Sequence, residues 1–185
     1  MPKLMIVVGS VREGRIGPVI AEWVRKTAEA DGRFDIDVAD LAEIDLPMMD
    51  EPNHPRMKQY TKPHTIAWSE RVEAADAFVF AFPEYNYSYS GAFKNALDYL
   101  VSEWNRKPVA LVNWGGNSGG TRAQTAIRPV LAALGLVATK GSIEINFPQQ
   151  QIADGVFTPN EQQASVVQLQ LDELITLDEA LHPLR

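Results

Sequence analysis

Strands and helices alternate five times along this 185-residue chain. That rhythm predicts one α/β domain over residues 1–185: a doubly wound, five-stranded parallel sheet with helices on both faces. Hydrophobic patterning then sets the strand order. The first, third and fourth strands (residues 4–8, 77–82 and 108–112) are apolar throughout, as strands covered on both faces must be. The second and fifth (residues 34–38 and 141–147) alternate apolar and polar, as half-exposed edge strands do. A buried centre with alternating edges gives the order 2-1-3-4-5.

The first strand runs into a loop, residues 9–17, with three glycines and two arginines. Pro18 suits the first turn of a helix, where its missing N–H costs nothing. Ile16, Ile20, Trp23, Val24, Thr27 and Ala28 recur at helical spacing, so residues 17–30 form an amphipathic helix that Asp31-Gly32 ends. After the second strand, residues 46–63 hold four prolines and the pair Met48-Met49. That predicts a long irregular loop. Such loops act as lids in some proteins, but for most of this one a plain surface excursion is expected.

Residues 65–75 read as a helix with Ile66, Ala67, Val72 and Ala75 inward. Pro83 stops the third strand because it cannot donate to a ladder. Residues 92–104 read as a helix with Phe93, Ala96, Leu97, Leu100, Val101 and Trp104 on one side. A further helix, residues 121–134, should kink near Pro129. Thr158-Pro159-Asn160-Glu161 has the form of a capping box and opens a last helix to about Leu181.

Composition excludes several function classes. The net charge of -7 leaves no basic face to neutralise a row of phosphates, so nucleic acid is not an expected partner. The chain has no cysteine, which removes thiol catalysis, thiolate metal sites and disulfides. His54, His64 and His182 have no metal-ligand spacing. No apolar stretch reaches the length of a membrane span, and the N-terminal residues lack a signal-peptide pattern.

The order 2-1-3-4-5 is the flavodoxin-like one, and its crevice lies between the loops after strands one and three. Those loops are the two most unusual in the chain. Gly9-Ser10-Val11-Arg12-Glu13-Gly14-Arg15-Ile16-Gly17 follows a strand and opens a helix, so it offers N–H groups, a dipole and two guanidinium forks to an anion. It is neither a Walker A loop nor a dinucleotide fingerprint, so one monophosphate fits it best. The other loop, Pro83-Glu84-Tyr85-Asn86-Tyr87-Ser88-Tyr89-Ser90-Gly91, suits a flat aromatic ligand. A rival pattern lies after the fourth strand. Gly116-Asn117-Ser118-Gly119-Gly120 matches a nucleophile elbow, with Asp154, Asp172 or Asp178 and then His182 in hydrolase order.

Gly9-Ser10-Val11-Arg12, Pro83-Glu84-Tyr85-Asn86 with Ser90-Gly91, and Trp114-Gly115-Gly116-Asn117-Ser118-Gly119-Gly120 together resemble the NAD(P)H-dependent FMN reductase family. That family has the flavodoxin-like fold and includes quinone, azo-dye and chromate reductases. The resemblance runs from about Lys3 to Phe147. It implies a cytoplasmic flavoprotein that uses FMN to pass reducing equivalents from NADPH or NADH to a small acceptor such as a quinone or flavin. It also implies a homodimer or homotetramer, with Trp104 and the tyrosines of residues 85–89 set either against a second subunit or in the core.

By the same resemblance Ser10, Arg12, Arg15, Ile16 and Gly17 hold the FMN phosphate. Pro83, Glu84, Tyr85 and Asn86 line the isoalloxazine ring, with backbone N–H groups toward its polar edge. Glu84 is alternatively an interface residue. Trp114, Gly115, Gly116 and Asn117 close the other side. No catalytic side chain is implied, since the flavin carries the chemistry. Many relatives have serine at the position of Arg15 and asparagine at that of Gly17, so phosphate binding here rests on Arg15 or on bare backbone. The alternatives are a flavodoxin-type electron carrier and, further off, a hydrolase using Ser118.

Overall fold

The computed structural model describes residues Met1–Arg185. Five parallel strands form the sheet: β1 (Lys3–Val8), β2 (Asp35–Asp40), β3 (Ala77–Pro83), β4 (Pro108–Gly115) and β5 (Val137–Asn146). Their order is β2-β1-β3-β4-β5, as the patterning requires. β3 is buried along its whole length, whereas β2 and β5 are partly exposed.

Strand side chains alternate between faces, so the apolar strands feed two cores. Met5, Val7, Phe78, Phe80, Phe82, Val109 and Leu111 meet α3 (Pro63–Glu73), α4 (Gly91–Asp98) and α5 (Thr121–Leu134). Leu4, Ile6, Val8, Val79, Ala81, Ala110 and Val112 meet α1 (Gly17–Asp31) and α6 (Glu161–Leu181). Gly32 ends α1 in the left-handed conformation, with its N–H on the Ala28 carbonyl, as the Asp31-Gly32 pair predicts. Every strand delivers its C-terminal end to one edge of the sheet, and the switch point falls there between β1 and β3.

Several elements depart from the sequence reading. The helix expected over residues 92–104 stops at Asp98, and Ser102–Trp104 follows as a 3₁₀ turn. Glu103 and Trp104 are both buried in that turn. Trp104 is 1 % exposed and packs on Phe78 and Trp68, so it belongs to the core and not to a subunit contact. The last helix opens two residues later than expected. Asn160 caps it, accepting from the Gln163 N–H, while the Gln163 side chain accepts from the Asn160 N–H.

Pro129 is accommodated within α5, which runs unbroken from Thr121 to Leu134. A short helix α2 (Leu41–Ile44) and a hairpin of β6 (Ile152–Ala153) and β7 (Val156–Phe157) carry no periodic signal because each is under five residues.

The proline-rich stretch after α2 contains one 3₁₀ turn, Pro55–Met57, and is tied down along its length. The Asn95 amide brackets it, donating to the Pro47 carbonyl and accepting from the Met49 N–H. Glu51 accepts from the Thr61 and Lys62 N–H groups where α3 begins. The Tyr60 hydroxyl donates to Glu103 at 2.8 Å, and the Ser69 hydroxyl donates to the same oxygen at 2.7 Å. Burial pushes the Glu103 carboxyl up, but those hydroxyls outweigh it and hold it below the ordinary range.

Candidate functional site

A cavity of about 330 Å³ opens at the C-terminal edge of the sheet, over the switch point. Ser10, Arg12, Arg15 and Ile16 line it from the loop after β1, Pro83, Glu84 and Tyr85 from the end of β3, and Trp114, Gly115 and Gly116 from the end of β4. Three chain segments far apart in sequence are thus brought to one place. Gly17, Asn86 and Asn117 stand next to lining residues without lining the cavity themselves.

The first loop is rich in unpaired donors. The N–H groups of residues 10–14, 16 and 17 find no acceptor within the protein, and Ser10, Arg12, Gly14 and Ile16 among them line the cavity. Ser10 is 1 % exposed, yet its Oγ has no hydrogen-bond partner. A buried hydroxyl of this kind costs stability unless a ligand satisfies it. Gly17 leaves room for the Ser10 Oγ in this orientation, since a Cβ at that position would overlap it. With the positive end of α1 behind it, the loop is built for a small anion. Arg12 is exposed at its rim, with its guanidinium 5.9 Å from the centre of the Tyr85 ring.

Arg15 is placed differently. Its Nη1 donates to Asp40 Oδ1 at 2.6 Å and to the Ser10 carbonyl at 2.9 Å, and its Nη2 donates to Asp40 Oδ2 at 2.8 Å. The guanidinium is engaged by the protein itself.

The second loop is a tight hairpin. Tyr85 and Ser88 exchange N–H to carbonyl bonds, and Asn86 and Tyr87 both have positive φ, 48° and 70°. Asn86 thereby serves the turn geometry, which favours asparagine. The Glu84 N–H is also engaged, donating to the Trp114 carbonyl at 2.8 Å. Among residues 83–86 this leaves only the Asn86 N–H unpaired, and in the third loop those of Gly116, Asn117, Ser118 and Gly120 are unpaired as well.

Glu84 has a task of its own. Its side chain is 8 % exposed and accepts from the Arg122 N–H at 3.0 Å in the first turn of α5, which has no side-chain cap on Gly120. Burial pushes its pKa up. The Ser118 hydroxyl, the Arg122 and Ala123 N–H groups and the Arg122 guanidinium outweigh burial and hold it below the ordinary range. Arg122 also stacks on the exposed Tyr87 ring at 4.0 Å.

Sequence reasoning missed Phe147, Pro148 and Gln149, which close the cavity from the end of β5. The available signal was their place after a parallel strand, the edge at which every such loop gathers. The hydrolase reading fails on geometry. His182 lies beside Asp76, whose N–H bonds the Lys3 carbonyl at the opposite edge of the sheet from Ser118. One strand length, roughly 20 Å, separates the two edges. The left-handed residues of the third loop are moreover Gly119 and Gly120, not Ser118.

An anion cradle at a helix N-terminus, next to a slot between aromatic loops at a flavodoxin-like switch point, defines a mononucleotide-binding α/β protein. Residues 2–150 match the family described as NADPH-dependent FMN reductase, and the chain belongs to that family. It is 39% identical over 160 residues to an NAD(P)H-dependent FMN reductase of Schizosaccharomyces pombe, covering 85% of this chain and 80% of that one. It is 39% identical over 106 residues to an NAD(P)H:quinone oxidoreductase of Solanum tuberosum, covering 54% and 55%. The solved structure of a flavoenzyme NAD(P)H:(acceptor) oxidoreductase from Paracoccus denitrificans superposes with a TM-score of 0.77 at 24% identity, covering 98% and 99%, which shows the shared fold. The chain is therefore an oxidoreductase of the FMN reductase type, with FMN as cofactor and NAD(P)H as co-substrate.

Proposed function

We propose that FMN sits in this cavity with its phosphate in the cradle of residues 9–17 and its ring in the slot between Pro83-Glu84-Tyr85 and Trp114-Gly115-Gly116. Reducing equivalents then pass from NAD(P)H to a small acceptor of the quinone or flavin class. The observation that carries this reading is the orphan Ser10 hydroxyl among unpaired N–H groups at the start of α1. The fit is chemical: a dianionic phosphate offers acceptors, and the cradle turns unpaired N–H donors and the Ser10 hydroxyl toward it.

Bound FMN supplies the hydride chemistry. The chain supplies position and field. Arg12 adds the charge at the cradle rim that no protein carboxylate has claimed. Trp114, Tyr85 and Phe147 give the ring apolar contact, and the unpaired N–H groups of Asn86, Gly116 and Asn117 are donors for its polar edge. Glu84 is engaged as a helix cap, so its part is to hold the second and third loops together.

A quinone-class acceptor is favoured by the relative described as a quinone oxidoreductase. A homodimer or homotetramer would cover Tyr87, which is 68% exposed beside the site. The cytoplasm, a source of NAD(P)H, is the expected compartment. No helix is long and apolar enough to cross a membrane.

The test is an absorbance spectrum of the purified protein under argon, before and after NADPH or NADH, then after a quinone. Flavin bands that bleach with nicotinamide and return with quinone are expected. Bands that neither nicotinamide alters would point to an electron carrier, and a protein that takes up no FMN would overturn the reading.

A further inference from the structure

We propose that Arg15 and Asp40 form a positioning pair that holds the cradle in its anion-binding shape, and that Arg15 is not itself a contact to the anion. The proposal rests on the reading that the cradle takes the FMN phosphate.

Arg15 ties the loop at three points. Its backbone N–H donates to the Arg12 carbonyl at 3.1 Å, closing the turn that contains Gly14 at φ 70°. Its Nη1 holds the Ser10 carbonyl, and both terminal nitrogens hold Asp40. Asp40 is 8 % exposed at the end of β2, and its Oδ1 also accepts from the Ala42 N–H at the start of α2. The guanidinium is therefore clamped from a neighbouring strand and cannot follow a ligand without breaking the forked pair.

The consequence falls on Ser10. A peptide unit is planar, so fixing the Ser10 carbonyl fixes the direction of the Val11 N–H on its other side. It also fixes the Cα that carries the unpartnered Ser10 hydroxyl. The charge of Arg15 is balanced by Asp40, which leaves Arg12 as the cradle's free cation. Arg15 thus acts through geometry, and its value to a ligand is that the donors need not be ordered on binding.

The experiment compares FMN with riboflavin, which lacks the phosphate, by flavin-fluorescence titration of the full-length chain freed of flavin. Wild type, Arg15→Met, Asp40→Asn and the double variant are measured, with thermal melts alongside. Wild type is expected to prefer FMN. Each single variant should lose roughly tenfold in FMN affinity with riboflavin affinity unchanged, and the double variant should be no weaker than either single one.

A direct phosphate contact by Arg15 gives a different pattern. Arg15→Met would weaken FMN, while Asp40→Asn, which frees the cation, would leave FMN binding unchanged or tighter; that pattern overturns the proposal. Arg15→Lys separates fork from charge. It should bind FMN as weakly as Arg15→Met, and full recovery with lysine would also overturn it. A wild type that binds FMN and riboflavin equally would instead remove the cradle assignment itself, a result distinct from either.

Discussion

Two irregular segments follow the first two strands, and they are built on opposite principles. The loop of residues 9–16 leaves the N–H groups of residues 10–14 and 16 and a buried hydroxyl without protein partners. The proline-rich segment after α2 is laced to its surroundings by Asn95, Tyr99 and Glu103 and closed on itself by Glu51. Both look like loops in sequence. What separates a binding loop from a structural one is the state of its donors. A loop that satisfies itself is scaffold, and a loop whose donors are held apart is waiting for an acceptor.

The largest effect that tests this contrast is on the scaffold side. Glu103 is fully buried and serves Ser69, Tyr60 and the Val101 N–H together. Glu103→Ala strands those donors, so a stability loss of about 2–4 kcal/mol is expected. Denaturant unfolding measures it. The FMN-to-riboflavin affinity ratio should stay at the wild-type value, because the proline-rich segment contributes nothing to the cradle. A changed ratio would show that the two loops are not independent.

The mirror experiment is Arg12→Ala. Arg12 makes no protein ion pair and is exposed, so its removal should leave the melting temperature near that of wild type. FMN binding should weaken by about 1.5–3 kcal/mol through one lost charge-assisted contact, with riboflavin unaffected. Unchanged FMN affinity would move the phosphate out of this loop.

Much of this contrast could not be seen in the sequence. The strand order was legible because β1, β3 and β4 are apolar on both faces and β2 and β5 are not. The cradle was legible because glycine, serine and arginine cluster between a strand and a helix. The partner of Arg15 was not, since Asp40 is 25 residues away and no local pattern joins them. Nor was the task of Glu84, whose target Arg122 lies 38 residues on. Phe147 was hidden for a similar reason, as its strand is an edge strand with an ordinary alternating pattern. The end of α4 at Asp98 escaped because Leu100 and Trp104 keep helical spacing after the helix has stopped. Periodicity reports which residues are buried, and here burial outlasts the helix.

Glu84 stands between the two kinds of loop and gives the smallest and most specific effect. It belongs to the aromatic side of the crevice, but its carboxylate is committed to α5. Its charge meets the positive end of that helix, so Glu84→Gln should cost about 1 kcal/mol near neutral pH. The sign with pH follows from the lowered pKa. The unfolded chain takes up the proton first, near 4.5, so the contribution is complete above that value. It fades as pH falls through the lower folded-state pKa, and wild type and Glu84→Gln should converge in acid. Melting curves of both proteins across that range test the convergence. The ligand readout separates Glu84 from Arg12. Because Glu84 joins the loops after β3 and β4, which flank the ring in the proposed placement, Glu84→Gln should weaken FMN and riboflavin by the same factor. A loss confined to FMN would instead place Glu84 in the phosphate field and erase the division between the two sides of the crevice.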